Sequence, residues 1–408
     1  MKKPVDYKLF FTVLVLVIFG MIMISSVSVY SSFRVTSSMV ANWYIQEAYN
    51  HFYVLRNIAH VVVWMLTLLV VVKIHYSFIE KYSKQIFWIA LFLLVVVLTV
   101  WTSLWWARWW LSIPWIPFTI QPTEFLKISV IIFLAAFFKK YKWYLQSFQN
   151  WFIPFIWIIW IIVLLVWLQP DFWTILVIVP VAVIMFFYAW ANIKHLFITT
   201  FLWVFLATSI YTIWDYDKET WIPTNKLWYI TQRIDTFVWD NKDLYTKVAL
   251  KDSRKDQIRN SLITIWSWGF DWLGFWKSIQ KYWYLPEVQW DFIFSVIVEE
   301  LWFMWGLLIL IFYLHIWYRW FYIASRVTDL FAKYAAVWIS TRIMLQAFIN
   351  IWVNLNVMPL TGITLPFISY GWSSLLSLMI ALWILLNISR YMEEKSKYSR
   401  KTRKKYMF

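Results

Sequence analysis

Apolar runs of about 20 residues recur from one end of this chain to the other, each long enough to cross a bilayer as a helix. No single water-soluble core could bury them all. Hydrophobic residues make up 62% of the chain and charged residues only 14%, against roughly 25% charged in soluble domains. The expected fold is therefore all-α: a polytopic integral membrane protein with ten transmembrane helices, a single membrane domain over 1–408. The apolar segments run over 9–30, 54–72, 85–101, 125–138, 152–168, 173–190, 195–213, 292–315, 332–353 and 367–389. The fourth is short as drawn and is expected to begin within Gln121–Glu124. The first carries no small-residue cleavage site and reads as a retained span.

Loop charge sets the orientation. With the N-terminus inside, the inner loops hold Lys73, Lys81, Lys84, Lys139, Lys140, Lys142, Lys194, Arg319, Arg326 and Lys333. The short outer loops and their flanks hold only Arg34, Arg56, Arg108 and Lys127. Both termini are thus expected in the cytoplasm, and the long polar stretch 214–290 is expected to be a large extracytoplasmic loop. The net charge of +16 does not point to nucleic acid. Residues 390–408 form a basic cytoplasmic tail, in which Lys395 to Lys405 suit a solvated segment beside anionic lipid. Without cysteine, disulfides and thiol catalysis are excluded. No metal-ligand spacing, P-loop or dinucleotide fingerprint occurs.

One ratio is abnormal: 35 Trp against 6 Gly, where glycine should supply roughly 7% of residues. Runs such as Trp266-Ser267-Trp268-Gly269 and Trp272-Leu273-Gly274-Phe275-Trp276 alternate Trp and Gly where a flexible backbone makes sense. A genuine aromatic belt would gather at the two interfaces, and these residues do not. The expectation is that most of these positions are glycine in the cell, encoded by UGA codons conceptually translated as Trp.

Charges at or inside the apolar segments are costly unless they pair or line a wet cavity. Glu124 and Lys127 stand three apart on one helical face; they read either as a self-neutralising pair or as part of a site that Arg108 joins. Arg342, within the ninth segment, must snorkel, pair or line a cavity. Asp171 follows Gln169-Pro170 and reads as a helix cap or a site residue. The same two readings hold for Glu287 and Asp291 around the start of the eighth segment. Under the topology above, Asp171, Glu287, Asp291, Arg108, Glu124 and Lys127 all fall toward the outer face, with only Arg342 deeper. A two-signed cluster there suits a phosphate-bearing lipid. Pro359 to Ser374 is Pro/Gly/Ser-rich, and non-helical backbone at membrane depth must be buried in protein or line an aqueous cavity. Ser373 and Ser374 are thus candidate cavity or headgroup contacts, unless they bond back onto their own helix.

With glycine restored at the suspect tryptophans, several runs fall into one pattern. Trp106-Ala107-Arg108-Trp109-Trp110 with Gln121-Pro122-Thr123-Glu124-Phe125-Leu126-Lys127, then Gln169-Pro170-Asp171-Phe172-Trp173-Thr174, Tyr284-Leu285-Pro286-Glu287, Trp290-Asp291-Phe292-Ile293-Phe294, and Ser369 to Ser374 together resemble the SEDS family of FtsW, RodA and SpoVE. Gln280-Lys281 and Thr364-Leu365-Pro366 lean toward the division members, Thr361-Gly362 toward the elongation ones. The resemblance implies a peptidoglycan glycosyltransferase that polymerises lipid II, the undecaprenyl-pyrophosphate-linked disaccharide peptide, at the outer face of the bacterial plasma membrane during division or elongation. It implies Asp291 as the catalytic acid residue. It implies Arg108, Gln121, Glu124, Lys127, Asp171, Glu287, Ser373 and Ser374 around the substrate. A class B penicillin-binding transpeptidase and other division or elongation proteins are the implied partners. No cofactor is required, although a divalent cation (Mg or Mn) is a candidate counter-charge. Gln289-Trp290 and Thr123 depart from the family pattern. The competing reading is a lipid II flippase, since ten spans with intramembrane charge also suit a transport route. A pure scaffold would leave the grouping of Asp291 and Glu287 unexplained.

Overall fold

The structure is a computed structural model that describes residues 4–99, 111–112, 119–142, 152–169, 171–189, 260–265, 274–283 and 288–392, with 197, 201 and 237. Its elements are almost all helical, as the apolar pattern requires: in hydrocarbon a backbone must satisfy its own polar groups. In chain order they are α1 (Tyr7–Val27), α2 (Val29–Ala41), α3 (Phe52–Val71), α4 (Tyr76–Lys81), α5 (Ser83–Thr99), α6 (Pro122–Lys140), α7 (Ile153–Leu168) and α8 (Phe172–Tyr188). After the long polar stretch come α9 (Gln280–Trp283), α10 (Ile293–Leu301), α11 (Phe303–Arg326), α12 (Leu330–Asn354) and α13 (Trp372–Ser389). A two-residue antiparallel ladder, β1 (Leu111–Ser112) with β2 (Thr119–Ile120), pairs Leu111 with Ile120 just ahead of α6.

Among the described residues five helices are long and apolar enough to cross a membrane: α1, α3, α11, α12 and α13. The helices α5, α7 and α8 are apolar but shorter, and α6 carries four charges in 19 residues. All but residues 197 and 201 of the expected segment 195–213 and most of 214–290 lie outside the described residues, as does the tail from 393 onward.

The helices sort by burial. The inner set is α6, α12 and α13, whose residues are mostly enclosed. On α3, α5 and α11 apolar side chains such as Leu66, Phe92 and Ile311 face outward. In water that face would be an aggregation liability; in a bilayer it is simply the lipid-facing surface. Local sequence sets the ends of the inner helices. Pro122 occupies the first turn of α6, Glu124 follows at the positive end of the helix dipole, and Lys139 and Lys140 close its negative end. Asp329 caps α12 by accepting from Ala332 N–H at 2.9 Å.

Two expected segments divide differently. The run 292–315 reads as one helix in sequence, yet it is two, α10 and α11, broken at Trp302 with φ 80° and ψ 157°. The first run bends at Ser28, where α1 gives way to α2. Positive φ at non-glycine residues occurs at Trp43, Trp276, Trp302, Asn356 and Phe367. Three of these five are tryptophan, a residue with no reason to prefer that region. The last expected segment, 367–389, becomes helical only at Trp372, the start of α13; the irregular connection before it is mostly buried, as the Pro/Gly/Ser content predicts.

Candidate active site

The irregular connection from Pro359 to Gly371 has backbone groups that no helix satisfies, and α12 supplies their partners. Gln346, Asn350 and Asn354 stand four residues apart, hence on one face. Gln346 Nε2 donates to the Thr364 carbonyl at 3.2 Å. Asn350 Nδ2 donates to the Ile363 carbonyl at 2.7 Å and the Asp291 carbonyl at 2.9 Å. Asn354 Nδ2 donates to the same Asp291 carbonyl at 3.0 Å, while its Oδ1 accepts the Ser295 N–H at 3.2 Å. That N–H belongs to the first turn of α10, which has no intrahelical acceptor for it. One amide side chain therefore holds both ends of the turn that carries Asp291.

Asp291 itself is half-buried, two residues ahead of α10. Its neighbour across the connection is Gly362, at φ 73°, where a Cβ would stand 3.5 Å from Asp291 Oδ2. Glycine suits this point because the left-handed backbone carries no penalty there. Tyr370 donates its N–H to the Gln289 carbonyl at 2.9 Å, and its ring packs edge-on to those of Tyr53 and Trp290. The departures Gln289 and Trp290 are thus integrated into the wall beside Asp291. Gln289 Oε1 also accepts from Ser31 Oγ at 3.2 Å.

A second charged group lies on α6, α12 and α13. Glu124 accepts from Lys127 Nζ at 2.6 Å and from Arg342 Nη2 at 3.1 Å. Ser377 Oγ is 3.2 Å from the same carboxylate and accepts from Arg342 at 2.9 Å. All three charged residues are buried. Two cations against one carboxylate leave a net charge of one positive unit, and the Nε and Nη1 of Arg342 have no hydrogen-bond partner among the described residues. The pairing reading of Glu124 and Lys127 holds, but the cation that joins them is Arg342. Arg108 lies outside the described residues, as does Glu287. The picture of Arg342 alone in depth is corrected, because Glu124 and Lys127 share its level. Eight residues of α12, about 12 Å at 1.5 Å per residue, separate Arg342 from Asn350.

The remaining candidates divide. Ser373 Oγ accepts the Gln121 N–H at 3.0 Å, tying the starts of α13 and α6, and Ser374 Oγ meets Thr364 Oγ1 at 3.0 Å. Both serines bond across the fold and not onto their own helix. Asp171 caps α8, accepting from Thr174 N–H at 3.2 Å and Thr174 Oγ1 at 2.8 Å; no contact joins it to Glu124 or Asp291 among the described residues. A buried pair that sequence reading missed is Lys281 with Glu300, 2.9 Å apart, with Ser26 Oγ bonded to both. Adjacent acids at 299 and 300 inside an apolar run were the available signal. No group of three or more metal-ligating side chains occurs among the described residues.

This helical scaffold, with an acid on a clamped turn beside a buried irregular connection, can be set against known proteins. Residues 7–394 match the FtsW/RodA/SpoVE cell cycle protein family. The chain belongs to this family. Among FtsW/RodA/SpoVE relatives, stage V sporulation protein E of Bacillus subtilis (strain 168) is 31% identical over 399 residues, covering 96% of this chain and 98% of its own. The probable peptidoglycan glycosyltransferase FtsW of the same organism is 32% identical over 410 residues, covering 99% of this chain and 94% of its own. Among solved structures, a chain of a peptidoglycan synthase complex, described for its structural coordination of polymerization and crosslinking, superposes with TM-score 0.72 at 21% identity, covering 95% of this chain and 99% of that one. The rod shape determining protein RodA of Thermus thermophilus gives TM-score 0.64 at 20% identity, covering 96% and 98%. These likenesses establish the fold as that of this membrane family.

Proposed function

We propose that this chain is a peptidoglycan glycosyltransferase that polymerises lipid II, with Asp291 as general base. The observation that carries the reading is the Asp291 turn: its main chain is held from α12 by Asn350 and Asn354, while its carboxylate faces the side-chain-free Gly362. A backbone clamped in this way is what a positioned base needs. The attacking sugar hydroxyl loses its proton to Asp291 as its oxygen bonds to the anomeric carbon of the donor. The lipid pyrophosphate leaves with the bonding electron pair, and one direct displacement inverts the anomeric centre. Pyrophosphate is a good leaving group, so a second carboxylic acid is not required. Its charge calls for cations. Lys127 and Arg342, which outweigh Glu124, supply positive potential within the bundle, and Arg108 is the further cation the family pattern implies.

In this reading ten spans hold both termini in the cytoplasm of a bacterial plasma membrane. The 214–290 loop and Asp291 then face outward, and the likeness to a chain of a peptidoglycan synthase complex that joins polymerization to crosslinking supports a class B penicillin-binding transpeptidase as partner. The flippase reading keeps one observation in its favour: charge at a second depth, at Glu124, Lys127 and Arg342. Asp291→Asn separates the two. The expected result is loss of lipid II polymerisation by about 10²–10⁴-fold with folding retained. Polymer formed at the unsubstituted rate, with altered lipid II transport, would favour the flippase instead.

A further inference from the structure

At the end of the bundle opposite Asp291, α4, the first turn of α5 and the last turn of α6 line a half-open cavity of about 620 Å³. Lys81, Lys84 and Lys140 line it, with the hydroxyl of Ser83 beside them. The carboxylate in its wall, Glu80, is already taken: Lys139 Nζ lies 2.7 Å from Glu80 and 2.6 Å from Asp329. Lys81, Lys84 and Lys140 make no ion pair among the described residues; against the one negative charge that Lys139 leaves on Glu80 and Asp329, they give this opening an excess of two positive charges. The first turn of α5 adds N–H groups that have no intrahelical acceptor.

The opposite wall is apolar and directional. Phe133 and Phe137 of α6 and its C-cap Tyr141 stand four residues apart, their rings 6.2 and 4.7 Å apart in succession. Phe87 of α5 stacks on Phe133 at 4.4 Å. This aromatic row runs from within the bilayer toward the helix end, where Lys140 Nζ sits 5.3 Å over the Tyr141 ring. A small soluble anion would use the lysines and leave the row idle. A molecule with a phosphate head and an acyl chain would use both.

We infer that this cavity is a binding site for an anionic phospholipid, with the phosphate headgroup among Lys81, Lys84 and Lys140 and an acyl chain along Phe133 and Phe137. Basic pockets between transmembrane helices on the cytoplasmic side take such headgroups, and lysines serve them as mobile point charges. The site is separate from the proposed glycosyltransferase chemistry.

The test is native mass spectrometry of the full chain in micelles, with diphosphatidylglycerol, phosphatidylcholine or inorganic pyrophosphate added. The unsubstituted chain should retain diphosphatidylglycerol in preference to phosphatidylcholine, and excess inorganic pyrophosphate should not displace it. The triple variant Lys81→Gln/Lys84→Gln/Lys140→Gln should retain it at least about tenfold more weakly, at roughly one phosphate contact per lysine. These lysines are exposed, so folding should survive. Phe137→Ala should also weaken retention without changing charge. The matched control Lys8→Gln/Lys73→Gln/Lys333→Gln removes as many charges from the same end outside the cavity, and it should bind normally. Equal loss in the control would mean diffuse attraction and overturn the site. Displacement by pyrophosphate would overturn the lipid assignment, and so would absence of lipid preference in the unsubstituted chain. None of these readouts depends on polymerisation, so their failure leaves the glycosyltransferase reading standing.

Discussion

The side-chain amide of Asn354 reaches the main-chain carbonyl of Asp291 at 3.0 Å. The same amide takes the Ser295 N–H, so a residue at the end of α12 sets the geometry of a turn 63 residues earlier in the chain. Asn354→Leu removes both bonds and leaves the buried Ser295 N–H without its acceptor, while Asn350 alone still holds the Asp291 carbonyl. The expected loss of stability is about 1–3 kcal/mol, read by thermal unfolding in detergent. Because the variant shifts the base and leaves substrate contacts in place, kcat for lipid II polymerisation should fall by about 10²-fold while KM changes little. A KM effect with unchanged kcat would show that the clamp does not position the base.

Trp302 occupies φ 80° between α10 and α11. For an L side chain the left-handed region costs roughly 1–2 kcal/mol, and glycine adopts it freely. Trp302→Gly should therefore stabilise the chain by about that amount, as should Trp43→Gly and Trp276→Gly. If the cell already reads these codons as glycine, peptide mass spectra of the native protein will carry Gly at 43, 276 and 302. Tryptophan in those peptides, encoded by UGG, would end the recoding idea.

Gly20 on α1 packs closely against the connection before α13. A Cβ there would stand 2.7 Å from both Cα and the carbonyl oxygen of Ile368. Backbone cannot swing aside as a side chain can, so Gly20→Ala should cost about 1–3 kcal/mol. The displaced segment leads directly to Tyr370 and Ser373, so polymerisation should drop with stability. An unfolding temperature equal to that of the unsubstituted chain would show that α1 can retreat.

Much of this was legible in the sequence, because apolar run length and intramembrane charge are strong signals. The segments around α3, α5, α7, α8 and α12 emerge within a few residues of their observed ends. The break at Trp302 was hidden by the tryptophan itself: Leu301-Trp302-Phe303 reads as uninterrupted apolar helix, whereas a glycine would have marked the joint. Arg342 attracted attention as a charge, but Gln346, Asn350 and Asn354, which continue its four-residue spacing, did not. Amides are inexpensive enough in a helix to look incidental, and their purpose appears only once the irregular connection beside α12 is seen to need donors. Asp171 shows the opposite limit. Its position fitted both cap and site, and its side chain is engaged as a cap.

The charged set on α6 and α12 makes a prediction whose sign depends on counting. Glu124 faces two cations, Lys127 and Arg342. Glu124→Gln leaves both cations buried without a counter-charge, and breaking a buried pair from one side costs about 3–5 kcal/mol. Arg342→Met leaves the neutral Glu124–Lys127 pair and removes the two guanidinium nitrogens that lack partners. It should be far milder, near neutral or stabilising, because a methionine fills the space without needing hydrogen bonds. In Glu124→Gln/Arg342→Met one buried cation is left instead of two, so the double variant should recover part of the loss seen in Glu124→Gln. Function should order differently. If Arg342 contributes positive potential for the departing pyrophosphate, Arg342→Met should retain its fold and still lose polymerisation, a separation that thermal unfolding and glycan-strand assays on the same preparations can measure. Full activity in a stable Arg342→Met protein would confine the arginine to a structural role.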